Sequence, residues 1–161
     1  SYAGRMGIQI VRPATVCGLS PRMRLDVIVN GFTMQALEHG FIKFNGGSQM
    51  RPNIHIEDMT DLYIWMLNNP NHAGIFNAGF ENLSVAEIAK MIADRTRVRT
   101  VALPITDPRS YRLNSDRLLL RGFKPKKTVA NAIDEIIEKF KAGELKDETR
   151  WHNLLAMPRA A

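Results

Sequence analysis

The chain has very little cysteine and no long apolar run. It has 161 residues and a single cysteine, Cys17, so an intrachain disulfide cannot form and a cytoplasmic setting is favoured. No stretch reaches the ~18 apolar residues of a membrane-spanning helix, so we expect no membrane partner. The first residues lack the basic and apolar segments of a signal peptide. The chain does not begin with Met, which indicates a processed or cut chain.

The short motifs of common catalytic and cofactor sites are also missing. The sequence contains no G-x-G-x-x-G, G-x-x-x-x-G-K, G-x-S-x-G or H-E-x-x-H pattern. The histidines, His39, His55, His72 and His152, do not show the spacing of metal ligands, so we expect no metal site. Cys17 has no obvious base nearby in sequence and is better interpreted as a packed thiol than as a nucleophile.

A basic charge balance is present, with a formal net charge of +6. Such a surplus suits anionic ligands, including nucleotides, nucleic acids and acidic surfaces. The basic residues are scattered, however, apart from the stretch Lys124–Lys127. Nucleic-acid binding needs clustered basic residues, so this function is the less favoured alternative and a solvated surface is the ordinary interpretation.

The pattern of hydrophobic residues predicts an α/β protein. Hydrophobic residues make up 45% and charged residues 24%, as in ordinary soluble proteins, and the length suits one domain or two small lobes. Strands are predicted at 8–11, 41–44, 54–56, 74–79 and 98–103, and helices at 25–37, 58–66, 84–94, 116–120 and from 128. Strands and helices alternate, which is typical of the α/β class. The first strand needs parallel neighbours on both sides, and too few strands follow to supply a full sheet.

Capping residues predict where several helices begin. Ser84 and Glu87 form a capping box, and Thr128 is placed to cap the final helix. Asp58 is the candidate N-cap of the second helix. After Gly143 the helical period is lost, so we expect an extended or partly ordered tail.

Several motifs resemble those of extended short-chain dehydrogenases. The family patterns are R-P-x-x-V-Y-G-P, G-G-x-Q-x-R-x-x-I-H-V-x-D, Y-N-x-G, D-x-R-S-Y and G-(F/W)-x-P. In order, these resemble Val11–Gly18, Gly46–Asp58, Phe76–Gly79, Asp107–Tyr111 and Gly122–Pro125. The chain therefore resembles the NAD-dependent epimerase/dehydratase group, and it matches the C-terminal half of such an enzyme. Cys17 replaces the usual Tyr, and Leu19 replaces the usual Pro, which alters that loop.

The resemblance implies the C-terminal part of a Rossmann-type doubly wound sheet together with a smaller α/β substrate-binding lobe. Residues 1–21 and 54–80 would form the Rossmann part, 22–53 and 81–143 the lobe, and 144–161 a C-terminal tail. The glycine-rich cofactor loop and the catalytic Tyr-x-x-x-Lys pair would lie before residue 1, so no catalytic residue is expected here. Tyr2 does not qualify, because residue 6 is Met rather than Lys. The chain alone is therefore expected to be inactive.

Roles of individual residues follow from the same resemblance. NAD or NADP would be bound mostly by the missing N-terminal half and would contact Pro13, Ala14 and Thr15. The alternative is that these three residues have no ligand and simply end a strand. A nucleotide-diphosphate sugar would contact Asn30, Arg51 and Arg109. Arg51 would hold the diphosphate with paired charge-assisted hydrogen bonds, the alternative being a surface arginine or a structural ion pair. His55 is interpreted as a satisfied buried histidine.

The resemblance implies a parent enzyme that epimerises, dehydrates or reduces a nucleotide sugar by hydride transfer with NAD(P). Partners would be the nucleotide-diphosphate sugar, the N-terminal half if the chain is cleaved, and a second copy in a homodimer. The alternative is a non-catalytic relative that binds RNA or a protein partner. The sequence names neither the sugar and its nucleotide nor the choice between NAD and NADP.

Overall fold

The computed structural model of the chain describes residues 7–105 and 107–153. The strands are β1 (Gln9–Pro13), β2 (Thr15–Cys17), β3 (Phe41–Asn45), β4 (Met50–His55), β5 (Gly74–Ala78), β6 (Glu81–Ser84) and β7 (Arg99–Leu103). The helices are α1 (Ile28–His39), α2 (Ile56–Asn68), α3 (Val85–Thr96), α4 (Asp116–Leu119) and α5 (Val129–Lys141), followed by a 3-10 turn at Thr149–Trp151. None of the helices in these residues is long and apolar enough to cross a membrane.

The strands are mostly parallel, as expected for the α/β class. β1 pairs with β5, β2 with β4, and β3 with β7, all in parallel. β6 adds to β4 in the antiparallel direction, with Asn53 opposite Glu81. Because parallel strands are stable only when helices cover them, the helices must pack on these sheets.

The buried apolar side chains form separate clusters. One cluster lies among α1, α3, α5 and β3, and includes Ile42, Ile88 and Ile133. A second lies under α2, where Leu62 and Phe76 are fully buried. The α/β prediction is confirmed, while the predicted lobe boundaries at 21, 53, 80 and 143 stay predictions.

Some of the helices begin at the residues that the local sequence predicts, and others do not. The capping box of α3 is present: Glu87 N donates to Ser84 Oγ at 3.2 Å, and Ser84 N donates to Glu87 Oε2 at 2.7 Å. Thr128 caps α5, as predicted. α1 begins at Ile28 rather than at the predicted residue 25, because Leu25 is buried against Trp151 and donates its N–H to the Trp151 carbonyl.

The prediction that Asp58 caps α2 is wrong. His55 is the N-cap, and its Nδ1 accepts a hydrogen bond from Glu57 N at 3.1 Å. Asp58 lies in the first turn of α2 and is only 1% exposed. Its carboxylate accepts from the backbone N–H groups of Lys126 and Lys127, at 2.8 and 3.1 Å. Asp58 therefore ties α2 to the segment that leads into α5.

Strands β2 and β6 were not predicted, and β4 does not alternate. The segment after β1 was expected to be a loop, but Thr15–Cys17 pairs with the second half of β4. β4 is covered by β2, by β6 and by helices, so its residues from Pro52 to His55 are all buried. Strands of three or four residues carry too little periodicity to be recognised, because pairing rather than local preference forms them.

Part of the segment after Gly143, for which the sequence predicts an extended or partly ordered tail, packs against the rest of the structure. Leu145 and Trp151 are buried in a third apolar cluster together with Met23, Leu25 and Met34. The chain after α5 therefore folds back on α1. The remaining residues of the predicted tail, 154–161, lie outside the described residues.

Trp151→Ala tests the importance of this cluster. Removing a buried Trp side chain leaves a cavity, so we expect a loss of about 3–5 kcal/mol in the free energy of unfolding. Urea denaturation followed by circular dichroism measures this loss. Trp151→Phe is the matched variant: it keeps most of the apolar contact and removes an indole N–H that has no partner among the described residues, so its loss should be clearly smaller. Equal stability of Trp151→Ala and wild type would contradict the packing role.

Candidate functional site

A cleft of about 480 Å³ is formed between the sheet of β2 and β4, the start of α1, the end of β3 and the segment after β7. Its lining includes Thr15, Arg51 and Arg109, which come from distant parts of the chain. The structure therefore brings together three of the residues predicted from the family resemblance. Cavities of about 300–1,000 Å³ are typical of small-molecule sites.

Arg51 is held rigidly at the start of β4. Its side chain is only 12% exposed. Nη1 donates to the carbonyl oxygens of Met50, at 3.0 Å, and of Arg109. Nη2 donates to Asp107 Oδ2 at 2.8 Å. These bonds fix the plane of the guanidinium before any ligand arrives.

Asp107 lies between two arginines. Arg109 is 80% exposed, and its Nε and Nη2 each donate to the Asp107 carboxylate at 2.8 Å. The backbone N–H of Arg109 also donates to it, at 3.1 Å. The hydrogen bonds from Arg109, reinforced by the charges of Arg109 and Arg51, lower the pKa of Asp107 to about 2. The carboxylate is therefore ionised at neutral pH.

Part of the lining of the cleft is aromatic. Phe32 from α1 and Phe44 from β3 are in tilted contact, with ring centroids 6.1 Å apart. The turn after β3 is fixed by Gln49, whose Oε1 accepts from Gly47 N at 2.6 Å and whose Nε2 donates to the Asn45 carbonyl at 2.7 Å. Gly47 has a φ of 140°, a backbone conformation that favours glycine. The turn thus connects β3, which carries Phe44, to β4, which carries Arg51, and both residues line the same cleft.

Asn30 lies outside the cleft lining and is only 2% exposed. Its Oδ1 accepts from Gly18 N at 3.0 Å, and its Nδ2 donates to the Arg24 carbonyl at 3.1 Å. The amide therefore fastens the loop after β2 onto α1. Its predicted contact with substrate stays a prediction, and its contacts in this structure are all within the chain.

Pro13, Ala14 and Thr15 lie where β1 passes into β2. Ala14 N donates to the Ala78 carbonyl at 2.7 Å, which joins this passage to the end of β5. Pro13 is exposed, Ala14 is buried, and Thr15 lines the cleft. The carboxyl ends of parallel strands are the usual place for a cofactor in open α/β sheets. Their predicted contact with the nicotinamide stays a prediction.

A polar cluster consists of His55, which is buried, Lys127 and Glu135, which are half-buried, and Glu57, which is exposed. Because His55 Nδ1 accepts from Glu57 N, its Nε2 carries the proton and donates to Glu135 Oε2 at 3.1 Å. Lys127 Nζ lies 2.8 Å from Glu135 and 3.3 Å from Glu57. Carboxylate oxygens of Glu57 and Glu135 and a nitrogen of His55 lie within 4.8 Å of one another, as a metal would require. The lysine ammonium already supplies the positive charge, and Nε2 is protonated, so these residues do not fit a metal.

Cys17 is buried on β2, with its Sγ 3.5 Å from the Ile54 carbonyl. Burial, reinforced by the charge of Glu81, raises the pKa of the Cys17 thiol to about 12. The thiol is therefore protonated near neutral pH, as the interpretation of a packed cysteine requires.

Sequence reasoning did not assign roles to Asp107, Phe32, Phe44 or Lys43, which all line the cleft. Asp107 belongs to the same motif as Arg109 and stands two positions before it, so its proximity to Arg109 could have been inferred. The aromatic wall cannot be predicted from neighbouring residues in the sequence, because Phe32 and Phe44 come from different elements and meet only in the folded chain.

Comparisons with known proteins agree with this architecture. Residues 1–79 match the sequence model of the NAD dependent epimerase/dehydratase family. The UDP-N-acetylglucosamine 4-epimerase from Bacillus cereus is similar, with 20% identity and a TM-score of 0.73 over 94% of this chain and 51% of that enzyme.

Two further solved structures show the same likeness. A UDP-glucose 4-epimerase from Thermotoga maritima, solved with UDP-glucose, has 20% identity and a TM-score of 0.70, covering 84% of this chain and 46% of that one. An ADP-L-glycero-D-manno-heptose-6-epimerase from Helicobacter pylori has 17% identity and a TM-score of 0.72, with coverages of 88% and 48%. The chain thus has a Rossmann-like α/β fold and spans about half the length of these enzymes.

The reactivity of Cys17 tests the description of its environment. A buried thiol with a raised pKa should react with Ellman's reagent at pH 8 at least ~100-fold more slowly than an unfolded cysteine. The absorbance change after mixing measures the rate, and the same protein in 6 M guanidinium is the control. Rapid labelling of the native protein would show that the thiol is accessible.

Proposed function

We propose that this chain is the substrate-binding half of an NAD(P)-dependent enzyme of the epimerase/dehydratase family, and that its cleft holds a nucleotide-diphosphate sugar. The observation that carries the proposal is the convergence of Arg51 and Arg109 on one oxyanion beside an aromatic wall. The match over residues 1–79 and the shared fold support membership in the family.

The two guanidinium groups suit a diphosphate. A guanidinium offers parallel N–H groups that fit two oxygens of a phosphate, and such charge-assisted bonds are among the strongest in proteins. Arg51 is oriented in advance by the carbonyl oxygens of Met50 and Arg109. Little conformational entropy is then lost when an anion binds, which favours affinity.

The remaining walls suit the nucleoside. Phe32, Phe44 and Val85 present apolar surface, and Lys43 and Asn45 present polar groups at the edge of the cleft. An apolar wall with a few polar groups is the common design of a site for a heterocyclic base. Relatives in the comparisons fit this assignment: the Thermotoga maritima enzyme was solved with UDP-glucose, and the enzyme MoeE5 with UDP-glucuronic acid and NAD.

The chemistry would require groups outside this chain. A nicotinamide, when bound, supplies a hydride acceptor for a sugar carbinol. Pro13, Ala14 and Thr15 at the carboxyl end of β1 offer an edge for that ring, whereas the sequence contains neither the glycine-rich phosphate loop nor a Tyr-x-x-x-Lys pair. Arg51 would act by holding the sugar nucleotide in place, and correct positioning contributes strongly to rate.

Exposed apolar residues support a docking role for a second half. Ile8, Ile10 and Ile75 are 46%, 45% and 39% exposed, and β1 has a partner strand on only one side among the described residues. Parallel strands normally have neighbours on both sides and are covered on both faces. We therefore propose that an N-terminal half, cleaved or continuous, covers this surface. A homodimer and a cytoplasmic location complete the proposal, the first from the family resemblance and the second from the single cysteine.

The alternative of an RNA-binding module is less well supported. The basic stretch Lys124–Lys127 is largely neutralised, because Lys126 Nζ lies 2.7 Å from Asp61 and Lys127 contacts Glu57 and Glu135. A nucleic-acid surface needs basic side chains that are free to meet phosphates.

Binding of a nucleotide sugar should depend on Arg51. We expect Arg51→Ala to weaken binding of the best ligand among UDP-glucose, UDP-N-acetylglucosamine, dTDP-glucose and GDP-mannose about 10- to 100-fold, since charged hydrogen bonds contribute about 1.5–3 kcal/mol. Arg109→Ala should have a smaller effect because its side chain is exposed. Isothermal titration calorimetry measures the affinities, and Arg121→Ala, which changes an exposed arginine outside the cleft lining, is the matched control. Equal effects of Arg51→Ala and Arg121→Ala would contradict the assignment.

The purified 161-residue chain should not turn over a nucleotide sugar. The reason is that the sequence has no Tyr-x-x-x-Lys pair to remove the carbinol proton. Incubation with NAD or NADP and the same panel of sugars, followed by chromatography of the products, checks this. Formation of an epimer, a keto sugar or reduced cofactor would contradict the proposal that this chain binds the substrate but lacks the catalytic residues.

A further inference from the structure

Strand β7 has one open edge in the part of the chain that the structure describes. β7 pairs with β3 in a two-stranded parallel sheet, and no other described strand joins it. The residues from Arg99 to Ala102 are all exposed, and Val101 is 39% exposed. The open edge of a strand carries unpaired backbone N–H and C=O groups, which are a template for pairing with another extended chain.

One hydrogen bond shows which residues of β7 direct their backbone groups to the open edge. Gly46 N, just after β3, donates to the Leu103 carbonyl at 3.1 Å, so Leu103 directs its carbonyl toward β3. Successive residues of a strand direct their backbone groups to opposite sides, so Val101 also bonds to β3. Thr100 and Ala102 therefore direct their N–H and C=O groups away from β3, to the open edge.

The two faces of the sheet differ in chemistry at this edge. Residues that are partners in register have their side chains on the same face, so Val101 shares a face with Lys43. By the alternation of side chains, Arg99 lies on that face too, and both basic residues are exposed. Ala102 shares the other face with Phe44, which is buried in the apolar cluster of α1, α3 and α5. A strand added here would have alternate side chains beside basic groups and beside apolar groups.

The charge beside the open edge is positive. Arg97 and Arg99 are exposed, and neither forms a salt bridge within the described residues, whereas Arg95 pairs with Asp134 at 2.7 Å. Neither β3 nor β7 contains Asp or Glu. Complementary charge favours the encounter of two partners and suppresses wrong ones. The edge therefore suits acidic side chains.

A second copy of the chain is the less favoured occupant of this edge. Each copy carries a net charge of +6 and would bring its own Arg97 and Arg99 to the interface. β7 is also only five residues long. Stable protein–protein interfaces bury about 1,200–2,000 Å², more than the pairing of two such short strands supplies.

We propose that the open edge of β7 binds an extended segment of another protein in which acidic and apolar residues alternate. The segment adds to the sheet as a further strand, and its backbone bonds to Thr100 and Ala102. Its acidic side chains meet Arg99 and Lys43, and its apolar side chains lie on the face of Ala102. Strand addition of this kind obtains affinity from backbone hydrogen bonds and specificity from alternate side chains. This binding requires no ligand in the cleft.

The test uses capped, fluorescein-labelled pentapeptides and the 161-residue chain at low ionic strength. The probe is Glu-Val-Glu-Val-Glu, and fluorescence anisotropy measures its affinity. Lys-Val-Lys-Val-Lys reverses the charge, and Glu-Glu-Glu-Val-Val keeps the composition of the probe without its alternation. We expect both control peptides to bind at least ~10-fold more weakly than the probe, because only the probe matches both faces of the edge. Added salt should weaken binding of the probe.

Ala102→Pro tests whether the backbone edge is the binding site. This change removes an N–H that β3 does not use, and proline is tolerated on edge strands. We expect binding of the probe to weaken at least ~5-fold, because one backbone hydrogen bond is lost and the ring obstructs pairing. Ala102→Ser keeps the N–H and should bind as wild type does. Thermal melting verifies folding, and Thr100→Pro, which removes the other outward N–H, is the second variant.

The basic residues beside the edge are tested together. The double variant Arg97→Gln with Arg99→Gln should weaken binding of the probe about 3- to 10-fold at low salt, a difference that shrinks at high salt because exposed charges are screened. The matched control is Arg121→Gln, which changes an exposed arginine outside the β3–β7 sheet and should have a clearly smaller effect.

Four results would overturn the proposal. The first is failure of the probe to bind wild type, and the second is unchanged binding to folded Ala102→Pro and Thr100→Pro, which would locate the probe elsewhere. The third is equal binding of either control peptide, which would contradict the stated chemistry of the partner. The fourth is a dimer in sedimentation velocity that Ala102→Pro dissociates, because the occupant of the edge would then be a second copy of the chain.

Discussion

The buried carboxylate of Asp58 joins the start of α2 to the segment that leads into α5. It is in the first turn of α2 and accepts from two consecutive backbone N–H groups just before α5. A buried carboxylate is stable only when its charge is met by hydrogen bonds, so neither partner can move away without a large cost. Lys127 and Glu135 add ion pairs beside it, and His55 joins them. These contacts join the end of β4 and the start of α2 to α5 and the segment before it.

Local signals explain which parts of the fold could be predicted from the sequence. The capping residues Ser84 and Thr128 were placed correctly, since a cap depends on neighbours three positions away. Asp58 satisfies the same local pattern, yet its partners are Lys126 and Lys127, far along the chain. Nothing in the neighbouring residues distinguishes a capping aspartate from one that binds a distant loop.

In the candidate site, too, some features could be predicted from the sequence and others could not. Motif resemblance singled out Arg51, Arg109 and Thr15, and the structure brings them into one cleft. It also singled out Asn30, whose amide is used within the chain. The contact of Arg51 with Asp107 was not predicted, because it depends on how the segment after β7 lies across β4. The family resemblance thus identifies which residues line the site. The pairing of their charges can be seen only in the folded structure.

The packing of Trp151 against Leu25 has a consequence for how the chain reaches its native state. The backbone bond between these residues joins segments that are far apart in sequence, so closing it restricts a very long loop. During synthesis the cluster around Met23 and Met34 cannot form until residue 151 has left the ribosome. Until then, this side of α1 lacks the covering side chain of Trp151.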